Sequence, residues 1–283
     1  VAVAGGLMKQ GGRGAGEWKA VYVRQLFGRI ARHYDRMNHL MTLGCDRAWR
    51  RRTVRQLDFH LPLQPSSIEN RPSKIVLDVA TGTGDLALEL VRQHPDVRVV
   101  GLDFSPPMLA LARQKATAIS PLQGRAALHL TAGDALRLPF ADGTFDAVVT
   151  GFALRNVADI AAALAEMARV TRPGGQIACL EIARPRLPLF RQVFTLYFYR
   201  LIPLLGGWIT GQRSAYTYLP HSLTHFPTPA EIAQVMDRVG WRQVRYRRLA
   251  LGAIAVHVGV RDQVCPNCRT TASSCPTIQA ACQ

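Results

Sequence analysis

From Lys74 to Val260 the chain alternates between two hydrophobic rhythms. Short apolar runs bounded by Gly, Pro or Asp read as strands: Lys74–Val79, Val97–Asp103, Ala127–Thr131, Phe145–Thr150 and, after the turn Arg172-Pro173-Gly174-Gly175, Gln176–Glu181. Between them Thr83–Gln93, Ser105 to about Ala118, and Ile160–Val170 carry apolar residues at helical spacing. Ser105 reads as an N-cap because Pro106 follows it. Such alternation predicts a parallel sheet with helices on both faces. A further helix, Pro229–Gly240, precedes two last strands, Arg242–Leu249 and Gly252–Val260, whose connection is so short that they must run antiparallel. Upstream, Leu26, Ile30, Tyr34, Met37, Leu40 and Met41 recur at spacings of three and four. Trp18–Leu57 therefore reads as helical, and the Pro- and Ser-rich stretch His60–Ser73 as a linker.

With 283 residues, 48% hydrophobic and 19% charged, the chain can form one large or two small domains. The organisation expected is a Gly-rich disordered leader (1–16), an N-terminal helical lid (17–60), an α/β domain (74–260) with an inserted apolar capping region (185–228), and a disordered tail (261–283). The leader lacks the continuous apolar core of a secretory signal. Within the insertion, Leu187 to Thr210 is largely apolar, but Arg191 and Arg200 interrupt it, whereas crossing a bilayer takes ~20 unbroken apolar residues. The segment is expected to cap the sheet or to lie at a membrane interface. Cys45 and Cys179 read as isolated small hydrophobes. Cys265, Cys268, Cys275 and Cys282 fall in the tail, where Cys265-x-x-Cys268 is half of a zinc knuckle lacking its second half, so no metal site is assigned.

Charge adds a constraint. The 35 basic and 19 acidic residues give +16, unevenly spread: Arg24 to Arg55 holds nine arginines against two acids, and Arg238 to Arg248 holds five arginines. Contact with nucleic acid or an anionic membrane surface would use such stretches, and plain solvated helix faces would show them too.

The candidate chemistry sits in Val76-Leu77-Asp78-Val79-Ala80-Thr81-Gly82-Thr83-Gly84-Asp85, a strand, a glycine turn and a helix N-terminus. In open parallel sheets a nucleotide-like cofactor binds at such a crevice. Asp78 and Asp85 edge the turn and no lysine stands in it, so a highly anionic group is poorly served. Asp103 closes the next strand, where a carboxylate can accept hydrogen bonds from both ribose hydroxyls. An acidic lining of this kind suits a cationic nucleoside such as S-adenosylmethionine. Gly82-x-Gly84-x-x-Ala87 also satisfies the loose dinucleotide fingerprint, and the turn alone leaves both open. The antiparallel close of the sheet favours the methyltransferase plan, because a dinucleotide dehydrogenase would repeat its βαβ half and add a substrate domain.

Several segments together carry a family likeness. They are Phe27-Gly28-Arg29-Ile30-Ala31-Arg32-His33-Tyr34-Asp35-Arg36-Met37-Asn38 with Leu43-Gly44 and Trp49-Arg50, the glycine turn, and Gly101-Leu102-Asp103-Phe104-Ser105-Pro106-Pro107-Met108-Leu109. Further on come Gly133-Asp134-Ala135 with Leu138-Pro139-Phe140, Gly151-Phe152-Ala153-Leu154-Arg155-Asn156-Val157, and Tyr216-Thr217-Tyr218-Leu219-Pro220-His221-Ser222. Over roughly residues 24 to 260 the chain resembles the bacterial ubiquinone/menaquinone biosynthesis C-methyltransferase family. The Tyr-Asp-x-Met-Asn and Leu-Arg-Asn-Val motifs are its most specific marks.

The resemblance implies a Rossmann-like class I S-adenosylmethionine-dependent methyltransferase with a seven-stranded, mostly parallel sheet and an antiparallel edge hairpin. It places Thr83 in the cofactor turn, Asp103 on the ribose and Asp134-Ala135 beside the adenine; Asp78, Gly82, Gly84, Phe104 and Met108 complete the expected cofactor set. Members often carry Asn at the position of Asp134, and some carry Ser at that of Gly151, so a hydroxyl is absent here. The implied reaction is C-methylation of a prenylated hydroquinone, demethylmenaquinol to menaquinol, with a ubiquinone-pathway benzoquinol as alternative. A ring carbon becomes nucleophilic when its phenol ionises, so Arg155 is the candidate for phenolate stabilisation and Asn156 for orientation. His33, Tyr34 and Asp35 could fold over the cofactor as a lid, Tyr34 and Asp35 being assigned to the catalytic set; His221 is a weaker candidate base. The expected setting is cytoplasmic, peripheral to the inner face of the plasma membrane, with self-association left open. RNA methylation is the competing reading, but no Asn/Asp-Pro-Pro-Tyr clamp, no Pro-Cys nucleophile and no RNA-binding module is found.

Overall fold

The computed structural model describes residues 13–59, 73–119, 128–210, 213–224 and 226–262. Seven strands form one sheet: β1 (Ile75–Val79), β2 (Arg98–Asp103), β3 (Leu128–Ala132), β4 (Phe145–Gly151), β5 (Thr171–Ile182), β6 (Trp241–Leu249) and β7 (Ile254–Arg261). Their order is β3-β2-β1-β4-β5-β7-β6, and β7 alone runs against its neighbours. The expected α/β architecture and antiparallel close are both present. Among the helices are α1 (Arg13–Met41), α2 (Cys45–Val54), α3 (Asp85–Gln93), α4 (Pro106–Ile119) and α5 (Ile160–Val170). They are followed by α6 (Pro188–Leu196), a π-helical turn (Tyr197–Leu201), α7 (Ile202–Thr210), α8 (Arg213–Thr224) and α9 (Pro229–Arg238).

Side-chain alternation along β1 explains the two-sided packing. Leu77 and Val79 join Leu164 and Met167 of α5 and Ile232 and Met236 of α9 on one face. Val76 packs on the other with Val54 of α2 and Leu86 and Leu90 of α3. A third cluster lies outside the sheet: Val23, Leu26, Ile30 and Met37 of α1 pack against Phe198, Ile202, Tyr216 and Tyr218. That cluster holds α1 over the carboxyl ends of the strands. The Thr228 side chain and Glu231 close a capping box on α9.

Several expectations need correction. The stretch Trp18–Leu57, expected to be helical, is divided between two helices, because Leu43 (φ 50) and Gly44 (φ 77) enter left-handed backbone and the Gly44 amide bonds back to the His39 carbonyl at 2.8 Å. Helix α1 begins at Arg13, inside the segment read as a leader. Arg172 to Gly175 form a bulge within β5, where the β4 register passes from Phe145↔Thr171 to Ala147↔Gln176. Ser105 sits at the head of α4, its carbonyl accepting the Leu109 amide at 3.1 Å and its amide donating to Asp103 at 2.8 Å, but its buried hydroxyl finds no hydrogen-bond partner and so makes no side-chain cap. Cys179 is buried in β5 as expected, whereas Cys45 is exposed at the start of α2. The expected linker lies largely outside the described residues, and the four tail cysteines wholly so. No helix among the described residues is long and apolar enough to cross a membrane.

Candidate active site

Strand β1 has β2 on one side and β4 on the other, so the chain's progression reverses at β1 and leaves a crevice at its carboxyl end. A cleft of ≈ 800 Å³, counted with its open mouth, lies there. Its walls come from the ends of β1 (Ala80, Gly82), β2 (Asp103, Phe104), β3 (Asp134, Ala135) and β4 (Phe152, Asn156), and Ala20, Phe27 and Tyr34 of α1 form the cover. Ala80 (φ 56) and Phe152 (φ 59) both hold left-handed backbone at the cleft wall. Such strain in non-glycine residues gathers at ligand sites.

Gly82 (φ 58) and Gly84 (φ 84) turn the chain from β1 into α3. A Cβ on Gly84 would stand 3.1 Å from the Ala112 Cβ, so the glycine also allows α4 to lie close. The turn aims the Gly82 amide at Asp103 Oδ2 (2.8 Å), while the Ser105 amide takes Oδ1 (2.8 Å). Each oxygen keeps one lone pair for a diol. Burial raises the Asp103 pKa, opposed by the Ser105, Gly82 and Phe104 amides. Asp134 gives one oxygen to the Leu136 amide (2.9 Å) and lines the cleft on an exposed turn.

The acidic lining therefore differs from the one expected. Asp78 shares the face of Val76, not of the cleft, because side chains alternate along the strand. It accepts the Thr81 hydroxyl at 2.6 Å, and its pKa rises to about 7 through burial, with Asp103 repulsion adding and Thr81, Ala87 and Arg50 opposing. Asp85 is taken by Lys115 at 2.6 Å and Arg50 at 3.4 Å. Asp103 and Asp134 are the charged residues of the lining, and no basic side chain joins them among the described residues.

Thr83 and Asp35 are also absent from the cleft wall. Thr83 donates to Asp35 at 2.6 Å, and Lys115 reaches Asp35 at 2.5 Å and Thr83 at 3.0 Å. These contacts fasten the far end of α1 to the glycine turn and to α4. The near end is fastened by Lys19, whose ammonium donates to the Val157 carbonyl at 2.6 Å. Sequence reading missed both lysines; their scarcity, four in a chain with 35 basic residues, was the available signal.

On the opposite wall, Asn156 lines the cleft, but Arg155 lies behind it. The guanidinium stands 5.9 Å from the centre of the Phe152 ring and 3.6 Å from Glu181, a fully buried carboxylate at the end of β5 that sequence reading did not single out. Burial raises the Glu181 pKa, while Arg155 and the amides of Leu154, Ala153 and Ile182 lower it. Phe104, Met108 and Ala135 line the cleft; Gly84 shapes the turn without reaching the lining. The side chain of His221 lies outside the described residues.

Comparison with known proteins agrees with this geometry. Residues 15–261 match the model of the ubiE/COQ5 methyltransferase family. The chain is 48% identical over 243 residues to a demethylmenaquinone methyltransferase of Roseiflexus castenholzii, covering 86% of this chain and 94% of that protein. It is 46% identical over 236 residues to the demethylmenaquinone methyltransferase of Thermus thermophilus, covering 83% and 100%. Its fold is similar to that of a SAM-dependent methyltransferase from Thermotoga maritima, with a TM-score of 0.56 at 17% identity over 84% of this chain and 99% of the other. From its motifs, its sheet order and this match along nearly the whole described chain, the protein belongs to the ubiE/COQ5 methyltransferase family.

Proposed function

We propose that this protein transfers a methyl group from S-adenosyl-L-methionine to a ring carbon of a prenylated hydroquinone, converting demethylmenaquinol to menaquinol. The observation that carries the cofactor half is the cleft at the strand reversal, whose charged lining is two carboxylates. Those residues fit the group: Asp103 has lone pairs for a ribose diol, Asp134 an oxygen for an exocyclic amine, and Ala135 a neighbouring backbone amide. Two acids without a basic partner favour a cation over a pyrophosphate. Bound there, the cofactor supplies an electrophilic methyl on a sulfonium. The protein's task is orientation and exclusion of water.

The acceptor half rests on the apolar wall and on the Arg155–Asn156 pair. Phe27, Tyr34, Phe152 and Val157 offer an aromatic ring a dry slot. The Arg155 guanidinium behind Phe152 favours the phenolate over the phenol, and the Asn156 amide fixes the ring's angle. Tyr34 covers the slot, with its ring edge-on to Phe27 at 5.7 Å. Asp35 acts at one remove, by holding α1 down.

A prenyl tail must be collected from lipid, and the outer surface suits that. Phe198 and Ile202 face inward, whereas Leu189, Val193, Leu196, Leu204 and Trp208 face solvent, with Arg191 and Arg200 exposed among them. The Tyr197 hydroxyl joins this unit to the Met41 carbonyl of α1 at 3.0 Å. On α1 itself Arg29, Arg32 and Arg36 lie on the exposed side. Apolar side chains ringed by arginines suit peripheral contact with an anionic bilayer.

A label-transfer assay with tritiated S-adenosylmethionine tests the reading. Label should enter demethylmenaquinol, and a ubiquinone-pathway benzoquinol measures the alternative acceptor. Label in total RNA with none in either quinol would overturn it.

A further inference from the structure

Four polar atoms around the Arg155 side chain are buried without a hydrogen-bond partner among the described residues: Arg155 Nη1, Glu181 Oε2, Asn156 Oδ1 and the Tyr218 hydroxyl. Glu181 is the acid that faces the guanidinium. Its Oε1 accepts the Leu154 amide at 2.7 Å, and its Oε2 faces Arg155 Nη1 at 3.6 Å. One carboxylate thus holds the backbone of the loop after β4 and faces the cation of the next residue. The same loop supplies Ala153, Asn156 and Val157 to the cleft wall.

The Leu154 amide needs only a neutral acceptor, so a charge at this fully buried position is costly unless the guanidinium requires it. At 3.6 Å the pair is too long for a hydrogen bond, so Coulombic attraction orients Arg155 while leaving its N–H donors free. Tyr218, buried on α8, flanks the same cation and packs edge-on against Tyr22 of α1 at 5.7 Å. The cluster therefore spans the β5 end, the β4 loop and the covering helices.

We infer that Glu181 is a positioning residue for methyl transfer, holding the Arg155 guanidinium behind the acceptor slot and balancing its charge between turnovers. The inference rests on the quinol reading above. Loss of the balancing charge would let the guanidinium favour phenolate more strongly while losing its fixed direction.

The test compares wild type, Glu181→Gln and Glu181→Asp in the label-transfer assay with demethylmenaquinol across pH. Glu181→Gln keeps the Leu154 acceptor; kcat should fall at least tenfold, with KM for both substrates within threefold. The acid limb of its kcat profile should move down by about one pH unit, as expected when a compensating carboxylate leaves a cation. Glu181→Asp keeps the charge but draws it back, so it should lower kcat less and retain the wild-type limb. A tenfold loss in Glu181→Gln with an unmoved limb would make the residue merely structural and overturn the inference, as would unchanged kcat. Should Glu181→Gln fail to fold, Glu181→Asp is compared in the wild-type and Arg155→Ala backgrounds: a kcat loss that disappears once Arg155 is absent upholds the role, and wild-type kcat, or an equal loss in both backgrounds, overturns it. A wild-type enzyme that leaves the quinol unlabelled would instead bring down the functional reading itself.

Discussion

Asp35 of the covering helix receives the Lys115 ammonium of α4 at 2.5 Å. No other described ion pair joins α1 to the body of the α/β domain. Both side chains are about a third exposed, so solvent screening limits the pair to about 1 kcal/mol. Lys115→Met should leave Asp35 and Asp85 facing each other and loosen the cover. Affinity for S-adenosylmethionine should fall roughly fivefold, which is about 1 kcal/mol, with little change in Tm. Calorimetric titration checks this, and wild-type affinity in the variant would remove the fastening role.

Asp103 and Arg155 should separate binding from turnover. Asp103 accepts amides on both oxygens, so Asp103→Asn must point an N–H₂ donor at either Gly82 or Ser105. An unsatisfied buried donor beside a lost charge predicts a fall in cofactor affinity of about 100-fold or more. Arg155→Ala should leave affinity within threefold and lower kcat by about 10²–10³, the scale of a lost electrostatic stabiliser. Titration and single-turnover label transfer on both proteins distinguish the two; equal loss of binding would end the division.

Asp78 has a folded-state pKa of about 7, well above that of an exposed aspartate. The folded state therefore holds a proton that the unfolded chain releases, so the contribution is full below pH ~4 and lost as pH rises through ~7. His257 works oppositely. Buried and bonded to the Pro229 carbonyl, it has a pKa lowered to about 4, chiefly by burial, and its contribution is lost as pH falls through that value. The two slopes offset each other between roughly pH 4 and 6.5, so the aspartate is best seen by difference. Relative to wild type, Asp78→Asn should gain stability as pH rises from 5 to 8. Denaturant melts at three pH values measure it, and parallel curves would show that Asp78 does not titrate in this window.

Leu189 and Trp208 are 75% and 87% exposed, so their replacement should not disturb the fold. Leu189→Ser with Trp208→Ser is expected to weaken sedimentation with phosphatidylglycerol vesicles at least fivefold while leaving Tm within about 2 °C. Activity on a quinol lacking its prenyl tail should be retained. Unchanged vesicle binding would place any membrane contact elsewhere.

The sheet was legible because its strands and helices differ in hydrophobic period and are punctuated by Gly, Pro and Asp. The break between α1 and α2 was not, since helical spacing continues through Leu43-Gly44 and only the glycine marks the stop. Motifs located the cleft but not which side chains face it. Asp78 and Asp85 flank the turn in sequence, yet strand alternation buries the first and Lys115 with Arg50 engages the second. Glu181 was hidden for a related reason: it closes the buried run Ala178-Cys179-Leu180, and only the fold sets it opposite Arg155. An acid closing a buried apolar run is a sign that it has a partner.

The Lys19 contact with the Val157 carbonyl ties two walls of the cleft together. Lys19 belongs to α1, which covers the cleft, and Val157 to the same loop as Asn156 on the opposite wall. Any displacement of α1 from the cleft would therefore break this hydrogen bond and unbrace that loop in the same movement.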